Sequence, residues 1–258
     1  MPTILLSTDA GIARVTLARP EVRNAFNADV IRELHEAFVR LSDDSRVRAI
    51  VVAGEGKTFC GGADINWMRA ALDLSHDENR IDAERMSDMF RAIDECKKPV
   101  IARIHGAALG GGAGLAAVCD VVIASDDALF GFTEVKLGII PAVISPFVLA
   151  KIGRSQARAL FLTGERFSAA RAQAIGLVHE VVALSALDSA VERVLAELRS
   201  AGPQAVATAK ALIADVSNAS DEQARALTTN AIASQRVTPE GQEGLRAFLE
   251  RRSASFSE

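Results

Sequence analysis

The chain has 258 residues, of which 49% are hydrophobic and 24% charged. That balance supports one sizeable core and excludes the polar, core-less composition of disordered chains. Its formal net charge is −4, and no run of Lys or Arg is long enough to track a phosphate backbone, which argues against nucleic acid as the main partner. No segment reaches the ~18 uninterrupted apolar residues of a membrane helix, and Met1 to Asp9 lack the character of a secretory signal. Cys60, Cys96 and Cys119 are odd in number and widely spaced, so neither a disulfide framework nor a metal site is expected, and a cytoplasmic, reducing location fits.

In chain order, Thr3 to Ser7 and Ile12 to Ala18 are short β-prone runs around a glycine-containing turn, which predicts a hairpin. Asn27 is placed to cap a helix in which Val30, Ile31, Leu34, Phe38 and Leu41 recur at helical spacing. Val47 to Ala53 is a nearly continuous apolar run, as expected for a strand covered on both faces. A helix is predicted from Glu78 to Cys96, a strand from Pro99 to Ile104, a turn at Gly110-Gly111-Gly112 and a helix ending near Cys119. Asp120 to Ser125 is strand-like, and Ala128 to Phe132 is expected to pair nearby. After about Ser145 the pattern is helical except for Val178 to Val182. Gly202-Pro203 separates two helical patterns, and Thr238-Pro239-Glu240 marks another helix start. The reading is α/β, with a core over residues 1–190 and a helical C-terminal region over 191–258.

Two glycine-rich stretches could carry chemistry. Gly56 to Ile65 follows a buried strand and enters a helix near Asp64, so its backbone N–H groups can point at an anion or a polarised carbonyl. Taken alone, a plain strand-to-helix turn explains the stretch better than a ligand site does. Gly106 to Leu115 lies between a strand and a helix, and Gly112 and Gly114 inside a helix each cost about 1 kcal/mol relative to Ala, which points to close approach by a backbone or a ligand. A dinucleotide fingerprint fails because Leu115 stands where its last glycine is required, and no Lys-Ser or Lys-Thr follows to make a phosphate-binding loop. His35-Glu36 and His179-Glu180 lack the second histidine of a zinc-binding helix. His105 and Asp120 read as structural, and Asp64 as a helix cap.

Taken together, FCGGADI at 59–65, HGAALGGGAGLAAVCDVVIAS at 105–125 and FGFTEVKLGIIP at 130–141 resemble the enoyl-CoA hydratase/isomerase (crotonase) family. The resemblance runs from RPEVRNAFN at 19–27 to EGLRAFLERR at 243–252. It implies a spiral of β-β-α turns with a helical trimerisation region, assembled as a trimer or a dimer of trimers. By motif, the Ala63 and Gly111 N–H groups would form an oxyanion hole for an acyl-CoA thioester. Arg23, Asn24 and Ala25, with Ala63, Asp64, Ile65 and Asn66, would lie along the coenzyme A moiety, which enters as part of the substrate and not as a cofactor. Phe248, Arg251 and Arg252 fall in the segment that approaches the adenosine phosphates. Trp67 and Met68 are candidates for the acyl pocket.

Glu134 matches the family's catalytic glutamate. The second glutamate of well-studied hydratases is replaced by Gly114, which puts a two-acid mechanism in doubt and is expected to enlarge the pocket. Hydration across the 2,3 double bond of a 2-enoyl-CoA is the leading reading. Leu137 to Val148 resemble bacterial methylglutaconyl-CoA hydratases of leucine breakdown, so a branched chain is expected. The alternatives are a 3,2-enoyl-CoA isomerase using Glu134 alone as proton shuttle and a non-catalytic or RNA-binding scaffold.

Overall fold

The computed structural model describes residues 2–257. The hairpin forms as expected: β1 (Ile4–Asp9) and β2 (Ile12–Leu17) are antiparallel with Asp9 opposite Ile12. Ala10 and Gly11 both take positive φ, 45° and 77°, the backbone a two-residue turn needs to match strand twist. Asn27 caps α1 (Ala28–Asp43) by accepting the Val30 N–H at 3.0 Å, and the five expected apolar residues are all buried. β3 (Ala49–Gly54) follows. The chain then forms the short α2 (Ile65–Ala71) and the long α3 (His76–Asp94). The second of these starts earlier than Glu78, because Ser75 and Glu78 cap each other reciprocally.

Next come β4 (Val100–Ile104), β5 (Ala107–Leu109), α4 (Gly111–Val118), β6 (Val121–Ser125) and β7 (Leu129–Gly131). After these, α5 (Ser145–Thr163) is broken at Gly153, whose φ is 71°. β8 (Arg166–Ser168), α6 (Ala169–Ala174) and β9 (Glu180–Val182) complete the αβ part. The stretch after Ser145 therefore holds a second strand, β8, beside the expected one. The remainder is α7 (Leu187–Ser200), α8 (Pro203–Ser217), α9 (Asp221–Val237) and α10 (Pro239–Glu250).

The larger sheet runs β1-β2-β3-β4-β6-β9, parallel apart from the opening hairpin, and the smaller one runs β5-β7-β8. Period-2 alternation assigns the two faces of the larger sheet. Ile50, Val52, Val100 and Ala102 join the main core with α1, α3 and α4, whereas Ala49, Val51 and Ile101 pack under Leu187, Val191 and Leu195 of α7. Position 190 thus falls inside a helix that packs on the sheet. Gly202 and Pro203 open α8, as the sequence predicts a new helix there. Among the described residues no helix is long and apolar enough to cross a membrane.

Candidate active site

The expected glycine-rich stretches meet at one place. Cys60 N–H donates to Ala107 O and Leu109 N–H to Cys60 O, both at 3.0 Å, which makes a parallel bridge between the first stretch and β5. On the other side, Phe26 N–H donates to Gly62 O at 2.7 Å and Asp64 N–H to Phe26 O at 2.8 Å. Successive N–H groups of extended chain point opposite ways, so these two bonds turn the Ala63 N–H away from Phe26. It donates to no acceptor among the described residues. Gly111 opens α4, where an N–H has no partner within the helix and the dipole end is positive. Gly110 holds the entry at φ 52°, ψ −122°, and is tied to β7 by its N–H to Gly131 O at 2.8 Å.

Glu134 begins a single 3₁₀ turn after β7, Glu134–Leu137. A Cβ placed on Gly110 would stand 3.3 Å from Glu134 Oε1 and 3.8 Å from Gly62 Cα. The carboxylate therefore sits against the glycine junction that carries both free N–H groups. Its Oε2 is buried with no hydrogen-bond partner, and burial pushes its carboxyl above the ordinary glutamate range. A carboxylate left unpaired in such a cleft is costly in its ionised form, which makes Glu134 a candidate functional residue.

These groups open onto a cavity of about 370 Å³. Ala63, Gly111 and Glu134 all line it, as do Trp67 and Met68 of α2. Arg23 is exposed at a left-handed backbone position, φ 58°, and its carbonyl accepts the Gly61 N–H at the cavity edge. Ile65 and Asn66 are exposed at the start of α2. Three neighbours from the expected coenzyme A set turn inward instead. Asn24 is buried, with Nδ2 donating to Glu55 O and Thr58 O. Ala25 is buried and its carbonyl accepts from Arg19 Nη1. Asp64 is the expected helix cap, accepting the Asn66 N–H at 2.8 Å and pairing with Arg19 Nη2 at 2.8 Å. Burial pushes the Asp64 carboxyl up, but the Arg19 hydrogen bond and the capping N–H outweigh it and hold it below the usual range.

The expectation that Gly114 enlarges the pocket is overturned. Gly114 is fully buried and does not line the cavity, because Ile144 occupies the space a side chain there would take. His105 is structural, with one ring nitrogen 2.9 Å from Gly56 O and the other 3.3 Å from Arg103 Nη1. Asp120 is structural as well, accepting the Val100 N–H and pairing with Lys210 at 2.7 Å each. Arg252 is held by Glu243 and Glu250, while Arg251 and Phe248 stay exposed.

Residue-by-residue reading missed Arg19, which ties the Pro20–Phe26 loop to Asp64, and Met86 and Ile144, which complete the cavity wall. Arg19 stands just before Pro20 and carries no spacing signal of its own. The run Ala83, Met86, Phe90 on α3 has helical spacing and could have marked a buried face.

A family model described as Enoyl-CoA hydratase/isomerase matches residues 7–258. The crotonyl-CoA hydratase of Syntrophomonas wolfei is 35% identical over 255 residues, covering 98% of this chain and 97% of that protein. Among solved structures, the enoyl-CoA hydratase of Mycobacterium smegmatis superposes with a TM-score of 0.95 at 35% identity, over 100% of both chains. AtuE of Pseudomonas aeruginosa superposes with a TM-score of 0.96 at 36% identity, over 99% of this chain and 100% of that one.

Proposed function

The chain belongs to the enoyl-CoA hydratase/isomerase family, and from that premise we propose that it is an enoyl-CoA hydratase working with one carboxylate. The observation that carries this reading is the buried, unpartnered Oε2 of Glu134, set against the junction where the Ala63 and Gly111 N–H groups are free.

In this reading the thioester carbonyl accepts from both N–H groups. Water attacks the β-carbon and gives a proton to the Glu134 carboxylate, and the π electrons of the double bond move onto the thioester oxygen as an enolate. Preorganised donors aimed at that developing charge are worth about 3–4 kcal/mol each. The enolate then collapses, taking the proton from Glu134 to the α-carbon, so that one water is added and Glu134 is regenerated. A carboxylate whose pKa is raised toward the working pH suits both halves of the cycle, first as base and then as acid.

The lining of the cavity bears on the acyl group. Its apolar wall of Ile139, Val143 and Ile144 is accompanied by no Lys, Arg or His among the described lining residues. The terminal carboxylate of a methylglutaconyl-type chain would enter without a cation and near the charge of Glu134. An uncharged 2-enoyl chain therefore stands ahead of the branched dicarboxylate that the resemblance of residues 137–148 implies. Coenzyme A would run past the exposed Arg23, Ile65 and Asn66, and the assembly would be a trimer or a dimer of trimers.

The test is mass spectrometry of products from crotonyl-CoA, methylglutaconyl-CoA and a 3-enoyl-CoA, each with the wild type and Glu134→Gln. A Glu134-dependent gain of one water on crotonyl-CoA supports the proposal. Conversion of the 3-enoyl ester without mass change and without hydration of the others would make it an isomerase, which the single acid also permits. Turnover indifferent to Glu134→Gln would sink both.

A further inference from the structure

Gly114 lies on the face of α4 turned toward the segment that leads into α5. A Cβ built on it would stand 2.2 Å from Ile144 Cγ2, 2.9 Å from Ile144 Cβ and 3.3 Å from Phe90 Cζ. The first two separations lie far inside van der Waals contact. One of them involves the branch atom Cβ, which the backbone fixes, so no rotation of the isoleucine side chain makes room. Nor is the Ile144 backbone free to withdraw. Its carbonyl accepts the Val148 N–H at 3.1 Å as α5 begins, and the next residue, Ser145, donates its hydroxyl to Ala142 O at 2.7 Å. Ile144 is itself 2% exposed, yet it lines the same cavity as Glu134. One side chain thus excludes any substituent at position 114 and forms part of the cavity wall.

We propose that Ile144 is the specificity-determining residue of this site. By filling the space opened at Gly114, it closes the cavity with a dry aliphatic wall, limits the bulk of the chain that fits beside Glu134 and keeps a second carboxylate out. The two positions act as an exchanged pair: a glycine in the helix and a branched residue across from it. This inference rests on reading the cavity as an acyl-CoA site, and goes beyond it in naming which residue measures the acyl group. A pocket wall of this kind discriminates by about tenfold or more per group added or removed, because each missing contact leaves unfilled space or a clash.

Two measurements test it. The first is a thermal-stability cycle of Gly114→Ala, Ile144→Gly and the double variant. Gly114→Ala alone should lower Tm by about 4 °C or more, as overpacking a rigid contact does, and by less than half as much when Ile144 is already glycine. Additive effects would overturn the exchange. The second uses Trp67, the single tryptophan of the chain, which lines the cavity. Its fluorescence is titrated with butanoyl-CoA and octanoyl-CoA, saturated esters that bind without reacting. Ile144→Gly, or the milder Ile144→Ala should glycine prevent folding, should shift the ratio of the two Kd values toward octanoyl-CoA by about tenfold. Binding of both esters with an unchanged ratio would overturn the role of Ile144 while leaving the acyl-CoA reading intact. Binding of neither would overturn both. A shifted ratio in a protein that hydrates no enoyl-CoA would uphold Ile144 and defeat only the hydratase reading.

Discussion

Glu134 is held where its ionised form is disfavoured, so the catalytic role proposed for it opposes stability. Because burial raises its folded pKa, the stability associated with the protonated carboxyl is full below the ordinary glutamate range and is lost as pH rises through the raised value. Glu134→Gln removes that loss. The variant should lose about 10²- to 10⁴-fold in turnover while melting at or above the wild type at pH 7, and the gap between the two melts should close on acidification. Parallel melts and rates from pH 4 to 8 check both halves, and a wild type that outlasts the variant at pH 7 would contradict them. Asp64 behaves with the opposite sign. Its folded pKa is lowered, so its contribution is present above the ordinary aspartate range and is lost as pH falls through the depressed value. Arg19→Met would leave that carboxylate buried and capped but unpaired. Since the Arg19 side chain is 18% exposed, the cost should fall at the lower end of the about 3–5 kcal/mol seen for broken buried pairs, measured as a shift in the urea midpoint.

At the scale of elements, the start of α4 is the part most tightly determined by contact. A Cβ on Gly112 would stand 2.6 Å from Cys60 O and 2.8 Å from Cys60 Cβ, so the helix N-terminus is pressed directly on the strand-like segment beside it. Gly112→Ala should force α4 away from Cys60, cost about 1–3 kcal/mol and lower kcat by displacing the Gly111 N–H. An unfolding curve and steady-state rates on one sample would show whether both effects appear together. This same element shows what the amino-acid order makes legible. Ala49–Val52 and Val100–Ala102 read as strands because both faces are buried and every side chain is apolar, and α1 reads as a helix because Asn27 and a 3.6-residue apolar period agree. β5 and β8 escape that reading. Each is three residues long, and each forms through pairing with segments distant in sequence, β5 with β7 and the Cys60 segment and β8 with β7, contacts no local period records. The site divides in the same way. Its glycine stretches and Glu134 are visible through the family resemblance, whereas the role of Ile144 depends on two distant segments meeting in space, and the loss of an acid at Gly114 looks like an enlarged pocket until that meeting is seen.

The whole molecule leaves its last three helices incompletely covered. α8 and α9 bury no residue fully and α10 buries only Ala247. Lys210 of α8 reaches Asp120 of the core at 2.7 Å, Arg48 donates to the carbonyls of Ala201 and Phe256, which flank these helices, at 2.6 Å each, and Glu240 of α10 ties that helix to α8 by accepting the N–H groups of Gln204 and Ala205. Meanwhile Ile213, Val237, Phe248 and Leu249 are each at least 70% exposed. Fully covering such side chains is worth about 1.5–3 kcal/mol apiece, and a single copy gains none of it. Copies of the chain packed around a closed symmetry axis would recover that energy without leaving an open end. With the trimer or dimer of trimers proposed above, light scattering on a sizing column should give a mass of three or six chains. Val237→Glu places a charge on the exposed apolar face without disturbing any buried contact, and should lower that mass toward one chain while far-UV circular dichroism stays unchanged. A wild type that runs as a monomer would mean that these side chains remain in water or meet something other than another copy.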